Sequence, residues 1–155
     1  MSRLLAPIPD GIAITERSGT GSGFFLLRWQ ELRDGFGSVP VAGSVTKTGQ
    51  TASLATTAVL TLTSSGWYRI STYARVTSPD GVSSSLSVTV GWTENAQALT
   101  KTSAAMTGDT VTTGQSTETP VYADASTDLT VATTYASNTP NLMVYEVMAI
   151  AEQLR

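Results

Sequence analysis

The stretch SSGWYRISTYARV, residues 64–76, decides the fold class because two kinds of side chain alternate along it. One set is mostly narrow and apolar and consists of Tyr68, Ile70, Thr72, Ala74 and Val76. The other set is mostly large, aromatic or cationic and consists of Trp67, Arg69, Ser71, Tyr73 and Arg75. Successive side chains of a β-strand point to opposite faces, so the pattern predicts a strand that buries the first set. A strand with one buried face usually presents small polar groups to water, and the pattern therefore raises the question of what covers the second set.

The composition favours β structure throughout the chain. Only 14% of the 155 residues are charged, which is well below the usual quarter. Hydroxyl side chains replace the missing charges, with 26 Thr and 18 Ser. Because Thr is β-branched, it fits the half-exposed surface of a pleated sheet better than the interior of a helix.

The distribution of charges and breaks divides the chain into an arm and a domain. Residues 1–43 carry eight charged residues, several prolines and the segment GTGSG, whereas residues 44–155 carry thirteen charged residues over a much longer length. We expect residues 1–43 to form an N-terminal arm and residues 44–155 to form one β domain.

Within the domain, turn signals separate seven or eight short strands at a spacing of about ten residues, a pattern typical of an antiparallel all-β sandwich or jelly roll. In SSLSVTVGWT the predicted inward side chains are Leu86, Val88, Val90 and Trp92. In DLTVATTY they are Leu129, Val131, Thr133 and Tyr135. In TTAVLTLT the side formed by Ala58, Leu60 and Leu62 alternates with the side formed by Val59, Thr61 and Thr63.

The closing segment NLMVYEVMAIAEQL is predicted to be a long strand, although Met, Ala, Glu and Gln also suit a helix. A helix here would have no polar face before Glu152. Glu146 interrupts the apolar run and leaves two interpretations open. Its carboxylate lies on the outward face or at a bulge, or it meets Arg69 or Arg75 of a neighbouring strand or subunit, since an unpaired buried charge is very costly.

The arm contains one predicted helix, at about residues 24–34, within the segment FFLLRWQELRDGFG. Phe25, Trp29, Leu32 and Phe36 recur at helical spacing and form a single apolar stripe. A helix of about three turns is marginal alone in water, so we expect it to dock on its own domain, on symmetry copies or on a separate partner.

The residue types exclude most catalytic chemistry. The chain has no His and no Cys, which removes imidazole bases, thiol nucleophiles and the commonest zinc ligands. The carboxylates of Glu94, Asp109, Glu118, Asp124 and Asp128 fall on predicted loops, and nothing in their spacing pairs them for glycoside hydrolysis. The loop DASTD matches no calcium motif, and GTGSG lacks the βαβ context of a phosphate loop. We therefore expect no enzyme activity, no cofactor and no bound metal.

The charge pattern also argues against two classes of partner. A net charge of -3 gives no electrostatic footprint for nucleic acid, so we expect none to bind. We also expect no membrane association, because the chain has no basic run and no apolar run long enough to span a bilayer. The first residues, MSRLLAPIPDG, lack the apolar core of a signal peptide.

Four segments of residues 44–155 together resemble a known domain: GWYRISTYARV, SSSLSVTVGWTENAQALT, DLTVATTY and VYEVMAIAEQL. The resemblance is to the trimeric jelly roll of the complement globular-head and tumour-necrosis-factor type, as carried by small virion proteins of tailed bacteriophages. The hallmark is a Gly-x-Tyr-x-aliphatic strand, here Gly66, Tyr68 and Ile70, followed by a strand that ends near a polar turn, here Leu86 to Asn95. The arm matches only through LLRWQEL.

The resemblance implies symmetric assembly and attachment rather than catalysis. Aromatic residues and Arg are enriched where proteins bury surface against one another. We therefore expect a homotrimer whose interface includes Trp67, Arg69, Tyr73, Arg75, Tyr145 and Glu146, with an ordinary solvated β surface as the alternative. Phe25, Trp29, Leu32 and Phe36 would attach the arm to capsid, neck or tail subunits.

The expected function is that of a non-enzymatic virion structural protein, either a capsid decoration protein or a short head or tail fibre. It would be assembled in the cytoplasm of the host bacterium. The alternative is a receptor-binding module in which Trp92, Tyr122 and Tyr135 stack on a host-surface glycan, although periodicity turns Trp92 and Tyr135 inward.

Overall fold

A computed structural model describes residues 42–81, 83–111, 113–137 and 143–154. The predicted arm helix and its stripe of Phe25, Trp29, Leu32 and Phe36 lie outside these residues. The described residues form nine strands: β1 (Ala42–Gln50), β2 (Thr57–Thr61), β3 (Gly66–Ser78), β4 (Ser85–Glu94), β5 (Gln97–Thr102), β6 (Met106–Thr107), β7 (Gly114–Ala123), β8 (Asp128–Ala136) and β9 (Val144–Gln153). This part of the chain contains no helix, and so no helix that could span a membrane.

The strands form two antiparallel sheets. The first sheet has the order β1-β9-β3-β7, and the second has the order β2-β8-β4-β5 with the short β6 also paired to β4. The closing segment is thus a strand, as predicted, and it occupies an interior position between β1 and β3. β1 begins at Ala42, two residues before the predicted start of the domain.

One face of each sheet is buried in a shared hydrophobic core. The predicted inward set of β3, from Tyr68 to Val76, is at most 4% exposed at every second position. The predicted inward residues Leu86, Val88 and Val90 of β4 and Leu129, Val131 and Thr133 of β8 are also buried. Strict alternation therefore gave the correct faces of the three most regular strands.

The prediction for β2 was wrong in its alternation. Val59 and Leu62 are buried, whereas Ala58 is exposed and Leu60 is only partly buried. The pairing of β2 with β8 shifts register between Ala58 and Leu60, which marks a bulge or irregularity. An extra residue in one strand reverses the face of every side chain beyond it, so a period of two cannot continue across this point.

A chain of hydrogen bonds joins the two sheets inside the core. The Leu54 amide donates to the Thr133 hydroxyl over 2.8 Å, and the Tyr145 hydroxyl donates to the Ala52 carbonyl over 2.8 Å. The Thr133 and Tyr145 hydroxyl oxygens are 2.5 Å apart. Because the Tyr145 proton is used on Ala52, Thr133 must donate to Tyr145. Every member of the chain therefore has a partner, as buried polar groups require.

Candidate functional site: the outer face of the first sheet

The register of the first sheet places the large side chains of β3 beside those of β9. Arg69 lies opposite Glu152, Tyr73 opposite Met148 and Arg75 opposite Glu146. We call the surface formed by these residues and their outward neighbours on β1 and β7 the outer face. Because side chains alternate along each strand, all of these residues point away from the core.

Two ion pairs between neighbouring strands lie on either side of the middle of the outer face. The Arg75 Nε donates to Glu146 Oε1 over 2.6 Å, and the Arg69 Nη2 donates to Glu152 Oε1. The hydrogen bond that each Arg donates to its carboxylate, together with the negative charge of that carboxylate, raises the pKa of the Arg above the ordinary value. Both pairs are partly exposed, so each stabilises the fold only slightly. The expectation that Glu146 meets Arg69 or Arg75 of a neighbouring strand is confirmed for Arg75.

Between the two ion pairs lies an exposed apolar centre formed by Tyr73, Met148 and Ile150. These three side chains are 44%, 42% and 42% exposed. Together with Ser71 and Glu118 they line a shallow depression of about 340 Å³. Apolar side chains that stay in contact with water cost free energy. A contiguous exposed patch of such side chains usually marks a contact site.

An aromatic pair extends the outer face beyond Arg69. Trp67 lies opposite Tyr122 on β7, and their rings form an edge-to-face pair with centroids 5.8 Å apart. Trp67 is 57% exposed, which is the largest fraction among the exposed large apolar residues of the described chain. Four of the outward positions of β3 thus carry bulky side chains: Trp67, Arg69, Tyr73 and Arg75.

The outward side of the second sheet differs in kind. Its paired β4 and β8 positions carry only small side chains: Ser85 with Ala136, Ser87 with Thr134, Thr89 with Ala132 and Gly91 with Thr130. Seven large apolar side chains are exposed in the described part of the chain, and five of them lie on the outer face: Trp67, Tyr73, Tyr122, Met148 and Ile150. The outward sides of the two sheets therefore differ in composition, and most of the exposed large apolar side chains of the described residues lie on the outer face.

The structure brings together five of the six residues expected at an interface. Trp67, Arg69, Tyr73, Arg75 and Glu146 share the outer face. Tyr145 does not belong to it, which corrects the prediction. Its side chain is 0% exposed and bonds Thr133 and Ala52, because alternation turns it to the opposite side of β9 from Glu146.

Sequence reasoning missed Met148, Ile150 and Tyr122 as members of this surface. The signal was present in the final segment, where Tyr145, Val147, Ala149 and Ala151 are the buried alternate positions. Once these four are placed inward, Met148 and Ile150 must point outward. The uniformly apolar composition of the segment hid this alternation.

Several of the other residues considered for chemistry make contacts within the fold. Of the aromatics considered for glycan stacking, Trp92 and Tyr135 pack against the core and Tyr122 is exposed. Asp109 accepts from the Ser84 amide and hydroxyl, Asp124 from the Ala96 amide, and Asp128 from the Thr61 hydroxyl. Among the described residues no three acidic side chains are grouped to hold a metal ion.

The chain matches no family model and no curated protein sequence. Among solved structures it is similar to the PRD1 vertex protein P5, with 17% identity over 77% of this chain and 100% of that one, at a TM-score of 0.49. It is also similar to dimeric latent PorU from Porphyromonas gingivalis, with 10% identity over 74% of this chain but 13% of that one, at a TM-score of 0.39. At such identities and scores, neither likeness carries an argument about this chain.

Proposed function

We propose that this chain is a non-enzymatic structural protein of a tailed-bacteriophage particle, a capsid decoration protein or short fibre that assembles as a homotrimer. The observation that carries the proposal is the asymmetry between the two sheets. One outward side carries small hydroxyls and alanines, and the other carries an exposed aromatic and apolar surface. A sheet surface of the second kind is typical of a contact between proteins.

The strand order supports a jelly roll within this proposal. The first sheet alternates early and late strands of the chain, the late strand β8 lies between β2 and β4 in the second sheet, and the first and last strands are hydrogen-bonded neighbours. Such long-range antiparallel pairing within each of two packed sheets is what two Greek keys produce. The segments that resemble trimeric jelly rolls coincide with β3, β4, β8 and β9.

The polar second sheet would suit the exterior of an assembled body. Small hydroxyl side chains remain soluble in water without offering an apolar patch to chance partners. In a trimer that turns its three outer faces inward, the second sheets and their loops would face outward. Residues 1–43, including the stripe of Phe25, Trp29, Leu32 and Phe36, would fasten the body to capsid, neck or tail subunits.

Sedimentation equilibrium of the full chain tests the assembly directly. We expect about three times the chain mass of 16.2 kDa at micromolar concentration, and a stable monomer would contradict the proposal. Electron microscopy of phage particles that carry a tagged chain tests the location. Density for a three-fold body at regular surface positions is expected, and particles without any bound chain would refute a virion role.

A further inference from the structure

The apolar centre of the outer face is enclosed by polar groups on all four sides. The two ion pairs close its ends along the strand direction. Ser44 and Thr46 on β1 flank Ile150 and Met148 on one side, and Ser116 and Glu118 on β7 flank Tyr73 and Ser71 on the other. An apolar centre within a polar rim is the arrangement of a specific protein contact, in which the rim excludes water from the residues that contribute most.

The charges of the outer face do not fit a strongly charged partner. Its two cations, Arg69 and Arg75, are both paired within the chain. With Glu118, Glu146 and Glu152 the face carries three carboxylates against two guanidinium groups. A polyanion would be repelled on balance, and a polycation would have to compete with the existing pairs.

The distribution of positive and negative charges on the outer face instead allows it to contact the outer face of another copy. At each end, Arg stands on β3 and Glu stands at the same height on β9. Where this face meets the same face of another copy in the trimer, a Glu of one copy can therefore lie near an Arg of the other, so that the contact does not have to oppose like charges. The small polar side chains of the second sheet offer no comparable apolar partner.

The edges of the first sheet carry features that hinder strand addition, which favours its face over its edges as the surface of association. On the edge strand β1, Lys47 lies on the inward side and the register shifts between Lys47 and Gln50. On the edge strand β7, Pro120 lacks an amide hydrogen. Inward charges, irregular register and prolines are the means by which proteins block edge pairing.

The size of the face is sufficient for a stable contact. Four strands about 4.8 Å apart, over about nine residues of about 3.4 Å each, cover roughly 600 Å². Two such surfaces would bury on the order of 1,200 Å², the lower end of the range for stable specific interfaces.

We infer that copies of this chain meet at Tyr73, Met148 and Ile150, while the Arg69–Glu152 and Arg75–Glu146 pairs stay closed within each chain at the rim. This inference rests on the proposed assembly, and it names the residues that hold the copies together. The contact is driven by apolar burial rather than by ion pairs between subunits, so it is insensitive to salt.

Met148→Glu is the direct test, because it places a carboxylate in the centre of the contact while leaving the core untouched. We expect sedimentation velocity to show association weakened at least about 30-fold, the loss typical of a central contact residue. Thr134→Glu is the matched control, since Thr134 is an exposed position of the second sheet, and it should leave association unchanged. Raising sodium chloride from 50 mM to 1 M should not weaken the wild-type assembly.

Because the chain has no Cys, single cysteine variants provide a second test that does not rely on a charged substitution. In the assembled protein, Ile150→Cys should react with a maleimide at least about ten times more slowly than Thr134→Cys. The difference should vanish on dilution to monomer. Equal rates in the assembled protein would overturn the inference.

The outcomes separate this inference from the proposed function. An oligomer that survives Met148→Glu, or that dissociates in high salt, overturns the inference and leaves the proposed assembly intact. A wild-type monomer at micromolar concentration overturns both. A monomer in which residue 150 is protected only on phage particles shows that the occupant is another virion protein, and this also overturns the inference.

Discussion

Tyr145 is the residue on which the hydrogen-bond chain between the two sheets depends. Its hydroxyl accepts from Thr133 and donates to the Ala52 carbonyl, so it connects β9 to β8 and to the segment between β1 and β2. Tyr145→Phe keeps the ring but removes both hydrogen bonds of the hydroxyl, so the buried Thr133 hydroxyl loses its acceptor. We expect the free energy of unfolding to fall by about 1–3 kcal/mol, measured as a lower urea midpoint with an unchanged m-value.

Tyr122→Phe is the control for this change. It removes the same hydroxyl from an exposed ring, so the free energy of unfolding should shift by no more than about 0.5 kcal/mol. If the two variants have the same midpoint, the hydrogen-bond chain does not contribute to stability.

The same hydroxyl predicts a dependence of stability on alkaline pH. Burial raises the pKa of Tyr145, although the hydrogen bond with Thr133 opposes this. In the unfolded chain the hydroxyl ionises near pH 10, whereas in the folded chain it stays neutral to higher pH. The resulting stabilisation is fully present below about pH 10 and is lost as the pH rises through the folded pKa. The stability advantage of wild type over Tyr145→Phe should therefore shrink as the pH rises above about 10, and parallel curves for the two proteins would contradict this.

At the scale of the element, the turn of the β4–β5 hairpin places an Ala in a backbone conformation that favours Gly, and a single substitution should remove this strain. Its two turn residues, Asn95 and Ala96, both have positive φ, 51° and 61°. A two-residue turn of this kind favours Asn-Gly, because Gly adopts the left-handed region without steric cost. Ala96→Gly should raise the free energy of unfolding by about 0.5–1 kcal/mol after the added entropy of the unfolded chain is subtracted.

Ala98→Gly, two residues along in β5, is the matched control for the hairpin. There the backbone is extended, so the same substitution should lower the free energy of unfolding by about 0.5–1 kcal/mol. Thermal unfolding of both variants checks the two signs. If Ala96→Gly also destabilises, the turn conformation described here is not the one that dominates in solution.

The elements also show why sequence predicted some strands and not others. β3, β4 and β8 alternate because each contributes one side to the core, and period-two patterns report that directly. β2 carries a register shift between Ala58 and Leu60 that depends on its pairing with β8, which no local pattern encodes. β9 packs Ala, Val and Tyr inward and Met and Ile outward, so its composition alone conceals which side is buried.

At the scale of the whole molecule, the candidate site was only half predictable. The sequence of β3 was enough to predict an unusual surface, because Trp67, Tyr73 and Arg75 are side chains enriched at protein contacts rather than on the solvated side of a sheet. Its apolar centre, however, is completed by Met148 and Ile150 from a strand some seventy-five residues away. Long-range pairing decides which strands are neighbours, so this half of the site required the fold.

The last prediction concerns the proposal that residues 1–43 attach the protein to the particle while residues 44–155 fold and assemble without them. β1 begins at Ala42 and pairs with β9 along its length, so removal of residues 1–40 spares every described hydrogen bond. We expect this variant to keep its circular dichroism spectrum and its oligomeric mass but to stop cosedimenting with phage particles that lack the wild-type chain. The physical reason is that the core and the outer face lie within residues 42–154. The deletion removes only residues 1–40, which include the apolar stripe that is proposed to attach the protein to the particle.

Removal of residues 1–50 is the matched comparison, because it also deletes β1. The edge of β9 would then lose its backbone partners, and its apolar strand would be open to pairing with other chains. We expect this longer deletion to aggregate or unfold. If the shorter deletion unfolds as well, the arm contributes to the folded core. If the shorter deletion still joins particles, attachment resides in the domain, since the only residues it lacks are those assigned to the arm.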